Sequence, residues 1–132
     1  GNNNSIGNNI KNGFIIGSDS KQINQDGEGF IGDVKYINGI AEEIVFTASE
    51  NLTLTPDIKY YWADTFRNDI TLTINKGVRD GQLFVIKKIK KNFNLIINCP
   101  SLIDDSSTIT LKNNNTSISI VYGKDQETYK II

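Results

Sequence analysis

The sequence predicts an all-β fold, a β-sandwich of jelly-roll-like type, and three observations support this prediction. Short stretches of alternating apolar and polar residues follow one another from residue 41 to the C-terminus, as in strands with one buried face. Clusters of Gly, Asn, Asp and Ser separate these stretches at intervals of roughly 8–12 residues. No long window has the periodicity of an α-helix. The pattern gives roughly eight or nine short strands, which is typical of two-layer β domains.

The most regular of these stretches is residues 69–74, which we expect at the centre of the sandwich. Its residues alternate strictly between apolar and polar, so that alternate side chains point to opposite faces of the sheet. One face carries Ile70, Leu72 and Ile74, and the other carries Thr71 and Thr73. We therefore expect the isoleucine and leucine side chains in the core and the threonines outside it.

The following strand, residues 83–86, is apolar at every position, as in a strand that is covered on both sides. Lys87 and Lys88 are expected to return the chain to water. Pro100 is expected to break the strand pattern, because proline cannot donate to a ladder. Further strands are expected at residues 44–47, 52–55, 58–63, 93–98, 108–111, 117–122 and 128–132.

Residues 1–40 differ from the rest of the chain, because they are rich in Gly and Asn and repeat loosely. The recurring pairs are Ile6-Gly7, Ile16-Gly17 and Ile31-Gly32. Single isoleucines in so short a strip do not make a core for one chain. Either three chains wind together and bury the isoleucines on a common axis, or the strip is a disordered linker. The regular pairs favour an intertwined β stem over residues 1–40, followed by a sandwich domain over residues 41–132.

Composition narrows the range of functions. The formal net charge of −1 argues against nucleic acid as a partner. The chain has no histidine, which is the commonest general base and metal ligand. Its apolar runs are far shorter than the roughly 20 residues that span a bilayer, so membrane insertion is not expected. Cys99 is the single cysteine and is expected to be inert packing. Since methionine is absent, we expect the chain to be a fragment of a longer protein.

Two motifs, one rich in glycine and one rich in lysine, each have a functional and a structural interpretation. Residues 27–32 have the spacing G-x-G-x-x-G of dinucleotide-binding loops. That function needs a buried strand before the motif and a helix after it, and the sequence indicates neither. These glycines are expected at turns and close contacts. The basic cluster 87–91 could hold an anionic glycan or a phosphate. A strand end with lysines that discourage aggregation is the favoured interpretation.

No catalytic residue, metal site or cofactor is predicted. The adjacent carboxylates Asp104-Asp105 and Glu42-Glu43 would point to opposite faces of a strand, which makes them poor acid–base pairs. Tyr60 and Trp62 share one face and Tyr61 takes the other. We expect one of these faces in the core and the other against a neighbouring chain.

Ligand contacts are expected in the loops, since binding residues concentrate there. The best-placed exposed side chains are those of Arg67, Asn68, Lys76 and Arg79.

The segments that give these strands also resemble the C-terminal head domains of trimeric virus fibres. Such heads occur in phage tail fibres and in related fibre-like proteins of large DNA viruses and their virophages. The resemblance covers about residues 44–132 and is strongest in the strand Gly-Gln-Leu-Phe-Val-Ile-Lys. The matching positions are residues 63–65, 70–73, 81–87 and 109–111.

The resemblance implies a homotrimer with an intertwined stem and a sandwich head at the tip, placed on the virion surface. It implies a non-enzymatic attachment function, with a host-surface glycan or protein receptor as the partner. It transfers no binding residues. Two alternatives remain open at this point: a structural virion spacer without a ligand, and a carbohydrate-degrading module similar to a tailspike.

Overall fold

Fifteen β-strands and no helix make up the part of the protein that the computed structural model describes, residues 2–38 and 40–132. The all-β prediction is confirmed, and that part contains no helix that could cross a membrane. The strands belong to two compact units, Gly1–Glu42 and Glu43–Ile132. The first unit contains β1 (Ser5–Ile6), β2 (Phe14–Ile16), β3 (Gln22–Ile23), β4 (Glu28–Ile31), β5 (Val34–Ile37) and β6 (Ile40–Ala41).

The chain of the first unit makes two short turns, β1–β2 and β3–β4, which pair with each other in parallel. β1 pairs with β3, and β2 pairs with β4, both in parallel, and β5 and β6 continue the second sheet antiparallel. Ile16 lies beside Ile31 in the ladder. The glycines that follow them, Gly17 and Gly32, both have left-handed backbones, with φ of 61° and 60°. The Ile-Gly pairs at these two positions are therefore equivalent points of a structural repeat within one chain.

This unit buries little apolar surface. Ile23 is enclosed, but one register row on β2, β4 and β5 leaves Ile16, Ile31 and Val34 58%, 46% and 46% exposed. We call these three residues the stem row. Gly29 is needed for packing, because a Cβ there would lie 2.2 Å from Cε1 of Phe14. The exposed isoleucines of the strip, Ile6, Ile16 and Ile31, thus remain available for contact outside the unit.

The second unit folds one continuous sheet into a sandwich or barrel-like arrangement. The order of its strands is β7-β9-β11-β14-β15-β12-β10-β8, with β13 paired to β12. The strands are β7 (Val45–Ala48), β8 (Leu52–Thr53), β9 (Tyr60–Asp64), β10 (Ile70–Thr73), β11 (Leu83–Ile89), β12 (Leu95–Ile103), β13 (Ser106–Leu111), β14 (Ser117–Gly123) and β15 (Thr128–Ile131).

The chain of the second unit alternates between two layers. β7, β9 and β11 pair in parallel in one layer, and β8, β10 and β12 pair in parallel in the other. The antiparallel pair β14–β15 joins the two layers. This connectivity is not that of a jelly roll, whose strands pair antiparallel. From β7 to β11, each strand is followed by a crossing to the opposite layer, so the next strand of the same layer returns in the same direction.

The core lies between the layers and has the predicted faces. Ile70, Leu72 and Ile74 are fully buried, whereas Thr71 and Thr73 are half-exposed. Tyr60 and Trp62 share one face of β9, as predicted, and this is the outer face, because Tyr61 and Ala63 form the inner one. Four core rings form a chain across the two layers through the contacts Tyr61–Phe84, Phe84–Tyr129 and Tyr122–Tyr129.

Two expectations about strand ends are wrong. Lys88 does not return to water, because β11 continues to Ile89 and places the Lys88 side chain on the inner face, with 0% exposed. Pro100 does not end its strand, because β12 runs from Leu95 to Ile103 with an irregularity in its pairing between Asn98 and Ile103. Pro100 is exposed within that irregular part, where a missing N–H is tolerated.

Candidate functional site

Three loops meet at one end of the sandwich, where the chain crosses from one layer to the other. They are residues 49–51, 65–69 and 90–94. Side chains tie these loops to neighbouring backbone. The Asn51 side-chain oxygen accepts the N–H of Thr71 at 2.8 Å, and Asn92 donates its amide to the carbonyl of Phe66 at 3.2 Å. The carboxylate of Asp69 accepts the N–H of Asn94 at 2.8 Å. This end of the unit is therefore a pinned surface and not a set of independent loops.

The three loops enclose a cavity of about 630 Å³, which we call the Phe66 cleft. Phe66 is 56% exposed, although it is a large aromatic residue. A second cavity of about 520 Å³, the side cavity, shares Phe66 and Lys90 with the cleft. The cleft is lined by Ser49, Asp64, Phe66, Arg67, Asn68 and Lys90, and the side cavity by Phe66, Ile89, Lys90, Lys91, Asn114 and Asn115.

The described lining residues of the two cavities carry mainly positive charge, and the loops also contain the exposed carboxylates of Glu50 and Asp69. Arg67, Lys90 and Lys91 are exposed, and Asp64 is the one carboxylate among the described lining residues. An oxygen of Asp64 accepts the backbone N–H of Phe66 at 3.1 Å. The cleft can therefore offer cations, an aromatic surface and polar side-chain groups to a ligand.

The floor of the cleft is supported from the interior by two buried polar residues. The Lys88 ammonium donates to the carbonyl of Lys90 at 2.7 Å. Thr65 is also fully buried, and its hydroxyl lies 3.5 Å from the carbonyls of Ile89 and Lys90. Lys90 itself has a left-handed backbone, with φ of 76°. These contacts position the residue that both cavities share.

The four predicted loop residues do not form one site. Arg67 and Asn68 lie together in the Phe66 cleft, while Arg79 lines a cavity of about 420 Å³ at the opposite end of the sandwich. Lys76 forms an ion pair with Glu127 at 2.8 Å. The hydrogen bond to Glu127 raises the pKa of the Lys76 ammonium, and the same bond lowers the pKa of Glu127.

The cavity near Arg79 is dominated by an internal ion pair. Lys59 contacts Glu43 at 2.9 Å, and this hydrogen bond raises the pKa of Lys59. The Lys59 ammonium also lies 5.7 Å from the centre of the Tyr60 ring. Two of the charged residues that line this cavity, Lys59 and Glu43, therefore compensate each other, and Asp57 and Arg79 also line it.

Sequence reasoning missed several cleft residues. Ser49, Asp64 and Phe66 were not singled out, and Lys90 was considered only as part of a basic cluster. A usable signal was present at Phe66, because a large aromatic residue between polar residues of a short loop has no core to enter. The stacking of the three loops was not readable from the sequence, because it follows from parallel pairing between strands that are distant in the chain.

The remaining motifs have structural roles. In the stretch 27–32, Gly27 and Gly32 have left-handed backbones at turns, and β4 occupies the positions between them, so the turn and close-packing interpretation is confirmed. Asp104 and Asp105 are the two turn residues between β12 and β13, with φ of 44° and 69°. Burial raises the pKa of the Cys99 thiol, which lies in the core.

No group of three or more His, Cys, Asp or Glu side chains that could hold a metal ion occurs in residues 2–38 and 40–132. No protein-family model matches the chain, and no curated protein gives a significant match. The function is therefore argued from the fold and the cleft.

Proposed function

We propose that the chain is the stem-and-head part of a homotrimeric virion fibre that attaches the particle to a glycan on the host surface. The observation that carries this proposal is the Phe66 cleft, a polar, basic and aromatic cavity at the loop end of a pinned parallel sandwich. Protein sites for sugars combine such a ring face with hydrogen-bonding groups, and loops held by a stiff scaffold commonly carry binding residues.

Exposed apolar rows support assembly with further copies of the chain. The stem row, Ile16, Ile31 and Val34, presents three aliphatic side chains side by side. On the outer face of the second unit, Val45 and Tyr60 lie in one register row, with Val45 44% exposed. Contiguous exposed apolar surface commonly marks an interface. Three copies that share these surfaces would bury them and display three clefts.

Three clefts on one particle tip would compensate for weak binding at each of them. A single shallow cleft gives modest affinity, and linked sites raise the effective affinity by about two to four orders of magnitude. Attachment through many weak sites suits a fibre, and the partner would be a host-surface glycan or a glycosylated protein receptor.

A degradative function has less support. Glycoside cleavage commonly uses two carboxyl groups separated by roughly 5–10 Å. Of the described residues that line the Phe66 cleft, Asp64 alone has a carboxyl group, and that group already accepts the N–H of Phe66. We therefore propose binding without catalysis. The other alternative is a structural spacer without a ligand, and the following test distinguishes it from a glycan-binding head.

The test measures assembly and binding on the same sample. Light scattering on a sizing column should give three times the 14.7 kDa mass of one chain, and a glycan array should give a signal that Arg67→Ala in the cleft weakens. Ile31→Asn in the stem row should shift the mass toward that of one chain, whereas Val78→Asn, at an exposed loop position, should not. A monomer that binds no glycan would refute the proposal, and a trimer that binds none would indicate a spacer.

A further inference from the structure

The second unit contains a buried lysine that the proposed attachment function does not use. Lys88 occupies the inner face of β11, in phase with Phe84 and Ile86, and is fully enclosed. Its neighbour across the ladder is Ala63, a small residue that leaves room for a long side chain. Burying a cation is costly unless a counter-charge or several hydrogen bonds compensate for the lost water.

The charge of Lys88 has no acidic partner among the described residues. Its ammonium donates to the carbonyl of Lys90 at 2.7 Å, and none of the ion pairs within 4.0 Å involves it. An ammonium has three N–H donors, and a neutral carbonyl leaves its net charge in place. When it is protonated, the Lys88 amine places a positive charge in a region of low dielectric, where the charge is weakly screened.

The carbonyl that receives this bond belongs to the residue shared by the Phe66 cleft and the side cavity. The Lys88 ammonium is thus hydrogen-bonded to the backbone of a residue that lines both cavities. Arg67, Lys90 and Lys91 add exposed cations, although the whole chain has a formal net charge of −1. Asp64 is the one carboxylate among the described lining residues, so the lining has an excess of positive charge, which concentrates anions.

Phe66 adds an apolar surface to the positive charge of the cleft. Phe66 lines both cavities and is largely exposed, so an apolar face is available next to the cations. A bare inorganic anion would gain nothing from that face. A sugar ring that carries an anionic substituent would use the ring for its C–H groups and the cations for its charge.

We infer that the Phe66 cleft binds an acidic saccharide, a sugar ring that carries a carboxylate or a sulfate ester, with Lys88 as the buried source of its anion preference. This inference deepens the proposed function and rests on it. Arg67 is assigned direct contact with the anionic group, and Lys88 acts through the Lys90 backbone and through its charge.

The experiment is an NMR titration of the isotope-labelled full chain with four probes: glucuronate, glucose 6-sulfate, glucose and inorganic sulfate. Backbone amide shifts of Phe66, Arg67, Asn68 and Lys90 report on the cleft. The two acidic sugars should bind at least about tenfold more tightly than glucose, and this preference should shrink as salt screens the charges. The tighter of the two acidic sugars identifies the anionic group.

Three substitutions separate charge from fold. Lys88→Met keeps a long apolar side chain without the charge, and Lys87→Met is its matched control, because Lys87 lies next to it on the outer face opposite Trp62. Arg67→Gln changes only an exposed side chain. Lys88→Met and Arg67→Gln should each weaken glucuronate binding by roughly tenfold and leave glucose binding unchanged, whereas Lys87→Met should change neither.

Several results would overturn the inference. Glucose binding as tightly as glucuronate would remove the anion preference, and inorganic sulfate binding as tightly as glucose 6-sulfate would remove the role of the sugar ring. Unchanged glucuronate affinity in Arg67→Gln would remove the assigned contact even if Lys88→Met disturbs the loop. Neutral sugars in the cleft of a trimer would leave the attachment proposal standing, while a monomer that binds no saccharide would refute both.

Discussion

Gly77→Ala tests how tightly the loop between β10 and β11 is packed on the core. A Cβ at residue 77 would lie 2.2 Å from Cγ and 2.3 Å from Cδ2 of the Tyr122 ring. Tyr122 is buried and packs on Tyr129 with ring centres 5.0 Å apart. The ring cannot withdraw without displacing Tyr129, whose hydroxyl donates to the carbonyl of Asn75 at 2.9 Å. The substitution is therefore expected to disturb two core rings and one buried hydrogen bond.

The magnitude follows from these two effects. Overpacking a core costs about 1–3 kcal/mol, and leaving a buried hydrogen-bonding group unsatisfied costs about 1–3 kcal/mol. Because the loop can relax in part, we expect a loss of about 3 kcal/mol in the free energy of unfolding. That loss corresponds to a decrease of about 12 °C in Tm, at roughly 4 °C per kcal/mol for a chain of this size.

Urea unfolding, followed by Trp62 fluorescence and far-UV circular dichroism at one fixed protein concentration, measures this loss. Gly81→Ala is the matched control, because residue 81 is in the same loop, has nothing within 4 Å of a new Cβ and has a φ of 78°. It should cost only the left-handed backbone penalty of about 1 kcal/mol. The lower backbone entropy of alanine in the unfolded chain is common to both variants. Equal losses in the two variants would refute the close contact between Gly77 and Tyr122.

Two further predictions concern a turn and the pH dependence of stability. Asp105→Ala should reduce the free energy of unfolding by about 1 kcal/mol, because the φ of 69° at residue 105 disfavours a side chain without a local hydrogen-bonding group. Asp105→Asn should lose less stability in the same urea assay. An equal loss in the two variants would contradict the turn geometry. Burial raises the pKa of the Cys99 thiol and of the Tyr129 phenol above their ordinary values of 9.0 and 10.0. Since both groups lose their protons more readily in the unfolded state, the stability they contribute is complete below about pH 9 and decreases as the pH rises above it. Urea midpoints between about pH 7 and 11 should fall, with a smaller slope in Cys99→Val, and a flat profile would show that these groups do not remain neutral in the folded core.

The sequence predicted the faces of strands better than their partners. The strict alternation at Ile70, Leu72 and Ile74 was sufficient to place three fully buried side chains, because side chains of a strand have a period of two. The same alternation does not distinguish parallel from antiparallel neighbours. The two-layer winding was therefore not predicted, although the positions of most strands were.

Lys88 shows why a local rule can fail. A lysine after an apolar run normally marks a strand end, but the phase of Phe84 and Ile86 continues through residue 88. Only the tertiary structure decides whether the strand continues far enough for the side chain at residue 88 to be enclosed. Of the four predicted loop residues, Arg67 and Asn68 lie in one cleft. Ser49 and Lys90, which also line that cleft, come from the loops after β7 and β11, and a single sequence does not show that these loops meet.

The parallel winding has a consequence for how such a protein can change. Val45, Tyr60 and Val85 are in register, although the chain between the second and third is longer than that between the first and second. The additional residues are accommodated in the crossings, and the ladder of the layers is unaffected. Insertions in the loops 49–51, 65–69 and 90–94 would therefore reshape the wall of the cleft while the core sequence stays constant. Diversification of binding would then concern mainly these loops, and conservation of folding mainly the strands and the side chains that tie the loops to them, such as Asn51 and Asp69.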